Sequence, residues 1–519
     1  MGVYRRPGVF VLERDVPSVA SAVATASAAI VGESEKGPLE PVLITNTKQF
    51  TDYFGEPELG NYFHYSALGY LEHGNQLYAL RVVGDDAYYG GALIKYGSGE
   101  DCEAVAAGVT VAELGGTYEF TGAECMLITG ANPGAWNNNI TVSIEDVDAV
   151  NHFFNLVVYY TDEDGNTDEV ENWRVSRVQD KVDGYGKNAY VEDVVNAQSM
   201  YIRVLDNDTE DEDEDPEECT DLDLEHGADG DDVTTAQWNT AWNTYFLNPD
   251  LYSVRILINA GWTEEEEQTN LITIAEARED CMAILDIPSD LTVTGMGTWR
   301  NTTLNANTSR AALYADWLEV YDNYNDKLVE VPPSGYVAGL YAYNDYVAND
   351  AYAPAGLKRG NLNSACGVTT VFTAGEMETL YSDYQINPIR YMPEGIAVWG
   401  QKTLLTTPGN LDRINVRRSI TGMELAISSS LKNYVFEPND TFSRLQITQM
   451  IESYMAQRKA DRAVQEYLVV CDDTNNSDST IDAHELHVDI YVKPQQVAEF
   501  IQLRAIITRT GASFTELVV

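Results

Sequence analysis

The sequence predicts a mixed α/β (α+β) core formed by its N- and C-terminal regions, interrupted by a mostly β insertion and flanked by extended terminal arms. Three observations predict it. Strand and helix signals alternate over residues 21–84, and the same alternation resumes at residue 231. Between them, short β-prone runs are separated by turn residues.

Residues 1–20 read as an arm. Arg6-Pro7-Gly8 is a turn, and Val9, Phe10, Val11 and Leu12 form a β-prone run too short and isolated to fold alone. In the first part of the core, 21–84, the uncharged Ala/Val/Ile-rich stretch 18–32 reads as a buried strand running into a Gly-rich loop. A strand at 41–45 leads to a helix at 48–54, N-capped by Asn46 or Thr47. Phe63, Ala67, Leu68 and Leu71 place a helix over 62–73, which Gly74-Asn75 closes, and 76–83 is a strand.

The insertion spans 85–205. Its strands are expected at 93–96, 109–114, 125–129, 140–144 and 153–160, with Asp164-Gly165 as a hairpin turn. Residues 206–230 read as an acidic linker, because ten of the thirteen residues 206–218 are acidic. Asp206, Asp208, Glu210 and Glu217 superficially resemble a calcium loop, but Asp211 stands where the sharp turn needs glycine.

The second part of the core takes 231–505, including a C-terminal domain. Trp238, Trp242 and Phe246 mark an amphipathic helix over 235–246. Further helices are expected at 270–280, 307–316 and 440–465, and one opening at Asn415. Strands are expected at 281–288, 317–321, 467–471 and 486–492. Residues 506–519 form a second arm, in which Phe514, Thr515, Leu517 and Val518 are the β-prone positions.

Net charge is −50, from 82 acidic against 32 basic residues. Such a surface is a poor partner for nucleic acid, which requires phosphate neutralisation by Lys and Arg, and for bare anionic membrane. If copies polymerise, their mutual repulsion makes assembly salt-dependent. No apolar run approaches a membrane span, and the two arginines near the start are not followed by the apolar region of a secretory signal.

The residues offer no catalytic constellation. The sequence lacks a GxSxG elbow, a GxxxxGK[ST] phosphate loop and an HExxH pair, and Gly295-Met296-Gly297 does not complete a dinucleotide fingerprint. His484 and His487, placed on a strand, would point to opposite faces and not share an ion. Six cysteines include no CxxC pair and no histidine at zinc-ligand spacing. Catalytic, cofactor and metal sites are therefore expected to be none, and the chain reads as a non-enzyme. Cys219, among strongly polar neighbours, is expected to be exposed and able to bridge to another copy.

MGVYRRPGVFVLERD, AAIVGESEKGP, PVLITNTKQF, FGEPE and HGNQLYALRVVG, in that order, resemble the N-terminal region of contractile tail sheath proteins of myovirus-type bacteriophages. DCMAILDIP, EVPPSGYVAGLYAYND, YAPAGLKRGNL, INPIRYMPEGIAVWGQKTL, INVRRS and VFEPND are similar to the same family further along. The resemblance covers 1–85 and 230–519 closely and the insertion loosely, through NPGAWNNNITV.

The resemblance implies a homo-oligomeric helical sheath of stacked rings around an inner tail tube protein, with baseplate and tail terminator or neck proteins at its ends. It implies a virion tail assembled in the host cytoplasm, whose contraction drives genome ejection. The terminal arms would join neighbouring subunits by strand addition. It also implies that a helix of the C-terminal sheath domain meets the tube. Arg444, Arg458, Lys459 and Arg462 are then the expected tube-facing residues, although the pattern alone fits an ordinary solvated helix face. The sheath of a phage-tail-like bacteriocin or other bacterial contractile injection system is the alternative of the same fold.

Overall fold

The computed structural model describes residues 26–96, 102–111, 113–121, 123–162, 165–207 and 215–503. The β-prone positions Val9 to Leu12 and Phe514 to Val518 lie outside the described residues. The described chain forms two compact units, 26–350 with 354–433, and 434–503 with 351–353.

The first unit opens with β1 (Ala28–Gly32), β2 (Val42–Ile44), α1 (Thr47–Phe54), α2 (Tyr62–Leu71) and β3 (Leu77–Arg81). Asn46 caps α1, its side chain accepting from Gln49 N, as the Asn-x-x-Gln spacing suggests. The insertion adds β4 (Gly91–Lys95), β5 (Glu103–Ala104), β6 (Glu124–Gly130), β7 (Ile140–Asp148), β8 (Phe153–Thr161), β9 (Thr167–Val175), α3 (Val191–Gln198), β10 (Ile202–Asp206) and β11 (Cys219–Asp223). The core then resumes with α4 (Thr235–Phe246), β12 (Ile256–Ile258), α5 (Glu265–Arg278), β13 (Met282–Asp286), α6 (Val293–Thr298), β14 (Ala311–Ala315), β15 (Leu318–Asp322) and β16 (Lys327–Val331). It ends with α7 (Ser334–Val347), β17 (Ala365–Val368), α8 (Ala374–Asp383), β18 (Ile386–Met392), β19 (Gly395–Val398) and α9 (Ile414–Leu431).

The core sheet runs β19-β18-β14-β13-β12-β1-β3-β2, with the six central strands parallel and both edge strands antiparallel. Ala28 of β1 pairs with Leu77 on one side and Ile256 on the other, so strands from before and after the insertion are direct neighbours. Both faces are covered, as a parallel sheet requires. Ala28 and Ile30 join the cluster under α2 and α7, while Ala29 and Val31 join the cluster under α4 and α5. Trp238, Trp242 and Phe246 bring one face of α4 onto the sheet, and Trp238 Nε1 donates to Val31 O at 3.1 Å.

Two antiparallel four-stranded sheets, β10-β6-β4-β5 and β11-β7-β8-β9, make the insertion. Period-two burial on β7 (Ile140, Val142, Ile144) and β8 (Phe154, Leu156, Val158) supplies its core. Arg81, at the end of β3, fastens this insertion to the core. Its buried guanidinium donates to Ser34 O at 2.6 Å, Glu35 O at 2.8 Å and Pro133 O at 2.5 Å. Burial lowers its pKa to about 10.

Three sequence expectations change. The stretch 307–316 is not helical but contains β14, whose five residues are fully buried between β13 and β18. Alanine-rich composition favours a helix locally, and burial on both faces overrides it. Among the described residues of 109–114 only an isolated bridge from Val109 to Tyr89 forms in place of a strand. Glu113 accepts from Thr110 N and Oγ1 at 2.7 Å and begins a single π turn. The acidic stretch is not simply a linker. Asp206 is buried against Arg177 at 2.6 Å, and β11 pairs with β7.

The second unit contains α10 (Thr441–Ala460), β20 (Val464–Val470), α11 (Asp478–Asp482) and β21 (Asp489–Pro494). Asp440 caps α10 through Ser443 N at 2.8 Å, and Ile447, Met450, Ile451, Tyr454 and Met455 form its buried stripe.

Candidate assembly surface

β20 and β21 make an antiparallel ribbon of only two strands. Among the described residues neither outer edge is paired, and a lone two-stranded ribbon is marginal in water. α10 supports it by lying against β20. The long connection between the strands is held by asparagines. Asn476 donates to His487 O at 2.9 Å and accepts from His487 N at 2.7 Å, while Asn475 donates to Val470 O at 2.9 Å. A solvated loop is what the polar run DDTNNSD suggests, and nothing in its composition marks Asn476 as the buried clamp.

One ribbon face is open and mixed, an exposed apolar pair set between charged residues. Leu468 and Tyr491 are exposed, with the Glu466–Lys493 ion pair at 3.5 Å beside them. Unpaired edges beside an exposed apolar pair are a ready template for another strand.

The four candidate cations do not share one face. Arg444 is buried and its Nη1 reaches Asp473 Oδ1 at 2.9 Å, tying α10 to the connection. Its charge is engaged inside the unit, so it leaves the surface set. Arg458 and Lys459 occupy the last turn of α10, where cations complement the helix dipole. Arg462 lies beyond the helix in a left-handed turn, φ +63°, with its N–H on Lys459 O at 3.1 Å. Lys459 and Arg462 are exposed and form no ion pair among the described residues; Arg458 is half-buried.

Cys219 is half-buried, not exposed, and its thiol neighbours that of Cys102 in the same chain. His484 sits in a turn, not a strand, and His487 Nε2 pairs with Glu485 at 3.0 Å. Among the described residues no group of three or more His, Cys, Asp or Glu side chains is arranged to hold a metal ion. No helix among them is long and apolar enough to cross a membrane.

A cleft of about 490 Å³ at the carboxyl ends of the parallel strands is lined by Glu33, Glu58, Glu264 and Glu267. Burial, then the neighbouring Asp232 and Glu58, raise the pKa of Glu33. Sequence reasoning missed this cleft because its carboxylates come from three separate segments, the loop after β1, the loop before α2 and the start of α5.

Residues 231–404 match the family model for the phage tail sheath protein central domain, and 406–508 that for the phage tail sheath C-terminal domain. Together they take in more than half of the chain, and the insertion lies outside both. The tail sheath protein of Enterobacteria phage T4 is 30% identical over 308 residues, 55% of this chain and 46% of that protein. That of Vibrio phage KVP40 is 33% identical over 266 residues, 47% of this chain and 40% of that protein. The chain thus spans about half the length of the curated relatives it matches. Among solved structures, the sheath tail protein of Listeria innocua superposes with a TM-score of 0.59 at 12% identity, covering 91% of this chain and 96% of that one. The PVC sheath complex of an extracellular contractile injection system, in its contracted state, gives 0.56 at 16% identity, covering 98% of each chain. At such identities the likeness is one of fold.

Proposed function

This chain belongs to the phage tail sheath family, and on that footing we propose that it is the structural subunit of a contractile sheath. Copies polymerise around an inner tail tube as a helix of stacked rings. Contraction by lattice rearrangement drives the tube through the host envelope for genome ejection. The observation that carries this reading is the two-stranded β20–β21 ribbon, built to accept strands from other copies.

The terminal arms are the strands to be donated. Val9 to Leu12 and Phe514 to Val518 add to ribbons of neighbouring subunits, so contacts are heterologous and propagate as a helical polymer instead of closing. The extended lattice is metastable, held by tube and baseplate. On triggering, each subunit repacks against its neighbours while the arms keep the polymer connected. Modest free-energy differences summed over many copies supply the work. Lys459 and Arg462, with Arg458 beside them, meet an acidic tube surface weakly enough to release it. The subunit acts as part of a virion tail assembled in the host cytoplasm, with baseplate and terminator proteins at its ends.

Electron microscopy of the purified protein tests the reading. Long hollow cylinders of uniform width are expected, and a persistent monomer at every salt concentration would overturn it. Val11→Pro and Leu517→Pro each remove an N–H from an arm. Both variants should fold as soluble monomers and fail to form cylinders. The sheath of a bacterial injection device shares this mechanism; the sequence matches to phage tail sheath proteins favour the phage.

A further inference from the structure

The two sheets of the insertion meet at their edges. β5 is the edge of one and β11 the edge of the other. Cys102 immediately precedes β5, and Cys219 opens β11. Lys95, at the end of β4, positions both. Its backbone N–H lies 3.4 Å from Cys102 Sγ, and its carbonyl accepts from Glu217 N at 2.8 Å. Tyr96 bridges to Pro216 beside them. The segments carrying the two cysteines are therefore already pinned side by side, with β11 in contact with both β4 and β5.

We infer that Cys102 and Cys219 are a redox pair that closes an intrachain disulfide between the two insertion sheets in an oxidising medium. Both side chains are partly exposed, so a small disulfide reaches them. The neighbouring Cys219 thiol, then the Lys95 N–H, lower the pKa of Cys102 against the opposing effect of burial. The Lys95 N–H, 3.4 Å from Cys102 Sγ, stabilises its thiolate, so Cys102 is the attacking group. With oxidised glutathione as oxidant, the Cys102 thiolate attacks one glutathione sulfur, breaking its S–S bond and releasing a glutathione thiolate. Cys219 then gives up its proton and attacks the Cys102 sulfur. The mixed disulfide breaks and the second glutathione thiolate leaves. The two cysteines lose two electrons and two protons, which the two glutathione molecules gain. This pairing consumes Cys219 within its own chain, so Cys219 is not a bridge between subunits.

The full chain, incubated with oxidised glutathione, is alkylated in denaturant and mapped by mass spectrometry without reduction. The expected product is a monomer with a Cys102–Cys219 linked peptide and two of its six thiols lost. Cys219→Ser should stop at one glutathione on Cys102, and Cys102→Ser should leave Cys219 unmodified over the same time. A Cys219-linked dimer from the wild-type chain, or a lasting glutathione adduct on Cys102 with Cys219 still free, would overturn the inference; neither readout depends on a variant folding.

Discussion

Leu468 and Tyr491 stand directly opposite one another on the β20–β21 ribbon, at 58% and 61% exposure. A cross-strand apolar pair contributes about 0.2–1 kcal/mol to the ribbon itself. Its exposure means that most of its apolar area is still available to a neighbour. Replacing both residues with serine should therefore change monomer stability by no more than about 1 kcal/mol. Polymerisation should weaken far more, because each subunit joint loses that contact. Sedimentation velocity, read beside thermal melts, separates the two effects. Equal loss of melting temperature and assembly would sink the assignment of this face to the joint.

The cations of α10 divide into two kinds, and substitution distinguishes them. Arg444 is buried with its guanidinium on Asp473. Arg444→Met should cost about 0.5–1.5 kcal/mol, because the hydrogen bond that ties the connection to α10 is lost while the exposed Asp473 stays solvated. Lys459→Glu with Arg462→Glu should cost the melt about 0.3–1 kcal/mol, because an anion then stands in the last turn of α10. The double variant should form sheath polymers that no longer decorate tubes, with some decoration returning as added salt screens the new repulsion. Undiminished decoration at ordinary ionic strength would exclude these residues from the tube contact.

These distinctions mark where the sequence was legible. α4 could be placed because Trp238, Trp242 and Phe246 recur at helical spacing, and the interrupted core because strand–helix alternation resumes after the insertion. β14 could not, since five residues read AALYA carry no period and their strand state is imposed by neighbours on both sides. β11 was hidden by acidic composition. Its stability comes from pairing with β7, where Cys219 lies opposite Ile144, about 75 residues earlier in the chain. Arg444 looked like a surface cation because Asp473 is distant in sequence, and no local pattern announces that pair. The strands β20 and β21 were anticipated approximately; that they stand as a ribbon of two was not.

Helices α2 and α7 approach one another through glycine. A Cβ on Gly335 would lie 2.1 Å from Ser66 O, and one on Gly339 2.7 Å from Gly69 O. In an open helix Gly→Ala is worth up to about 1 kcal/mol of added stability. At Gly335 the sign should reverse, because the clash is with backbone that cannot rotate away, and a loss of about 3 kcal/mol or more is expected. Gly375, in α8, has nothing within 4 Å of its Cβ position and should show the ordinary gain. Paired denaturant melts of the two variants check the contrast. A neutral Gly335→Ala would mean that α2 and α7 are not so closely packed.

His64 and Asp286 give stability opposite dependences on pH. His64 is buried, with Nε2 3.2 Å from Phe54 O and the rings of Phe50 and Phe63 around it. Burial lowers its pKa from 6.5 to about 4. Between those values the unfolded chain binds a proton that the folded chain refuses. Its contribution is thus complete above pH 6.5 and is lost as pH falls towards 4, about 2 kcal/mol of it between about pH 7 and about pH 5. Asp286 accepts from Ser334 N at 2.7 Å, Ser334 Oγ at 2.6 Å and Gly261 N at 3.0 Å, yet burial dominates and raises its pKa from 3.8 to about 6. Here the folded chain holds the proton more tightly. That contribution is complete below pH 3.8 and is lost as pH rises through 6, returning about 1 kcal/mol on the same descent from about pH 7 to about pH 5. The two slopes largely cancel in the wild-type chain. His64→Leu should therefore gain stability relative to wild type as pH is lowered, and Asp286→Asn should lose it. Urea melts at about pH 7 and about pH 5 measure both differences. If His64→Leu and wild type keep a constant difference across that range, His64 does not titrate as its burial requires.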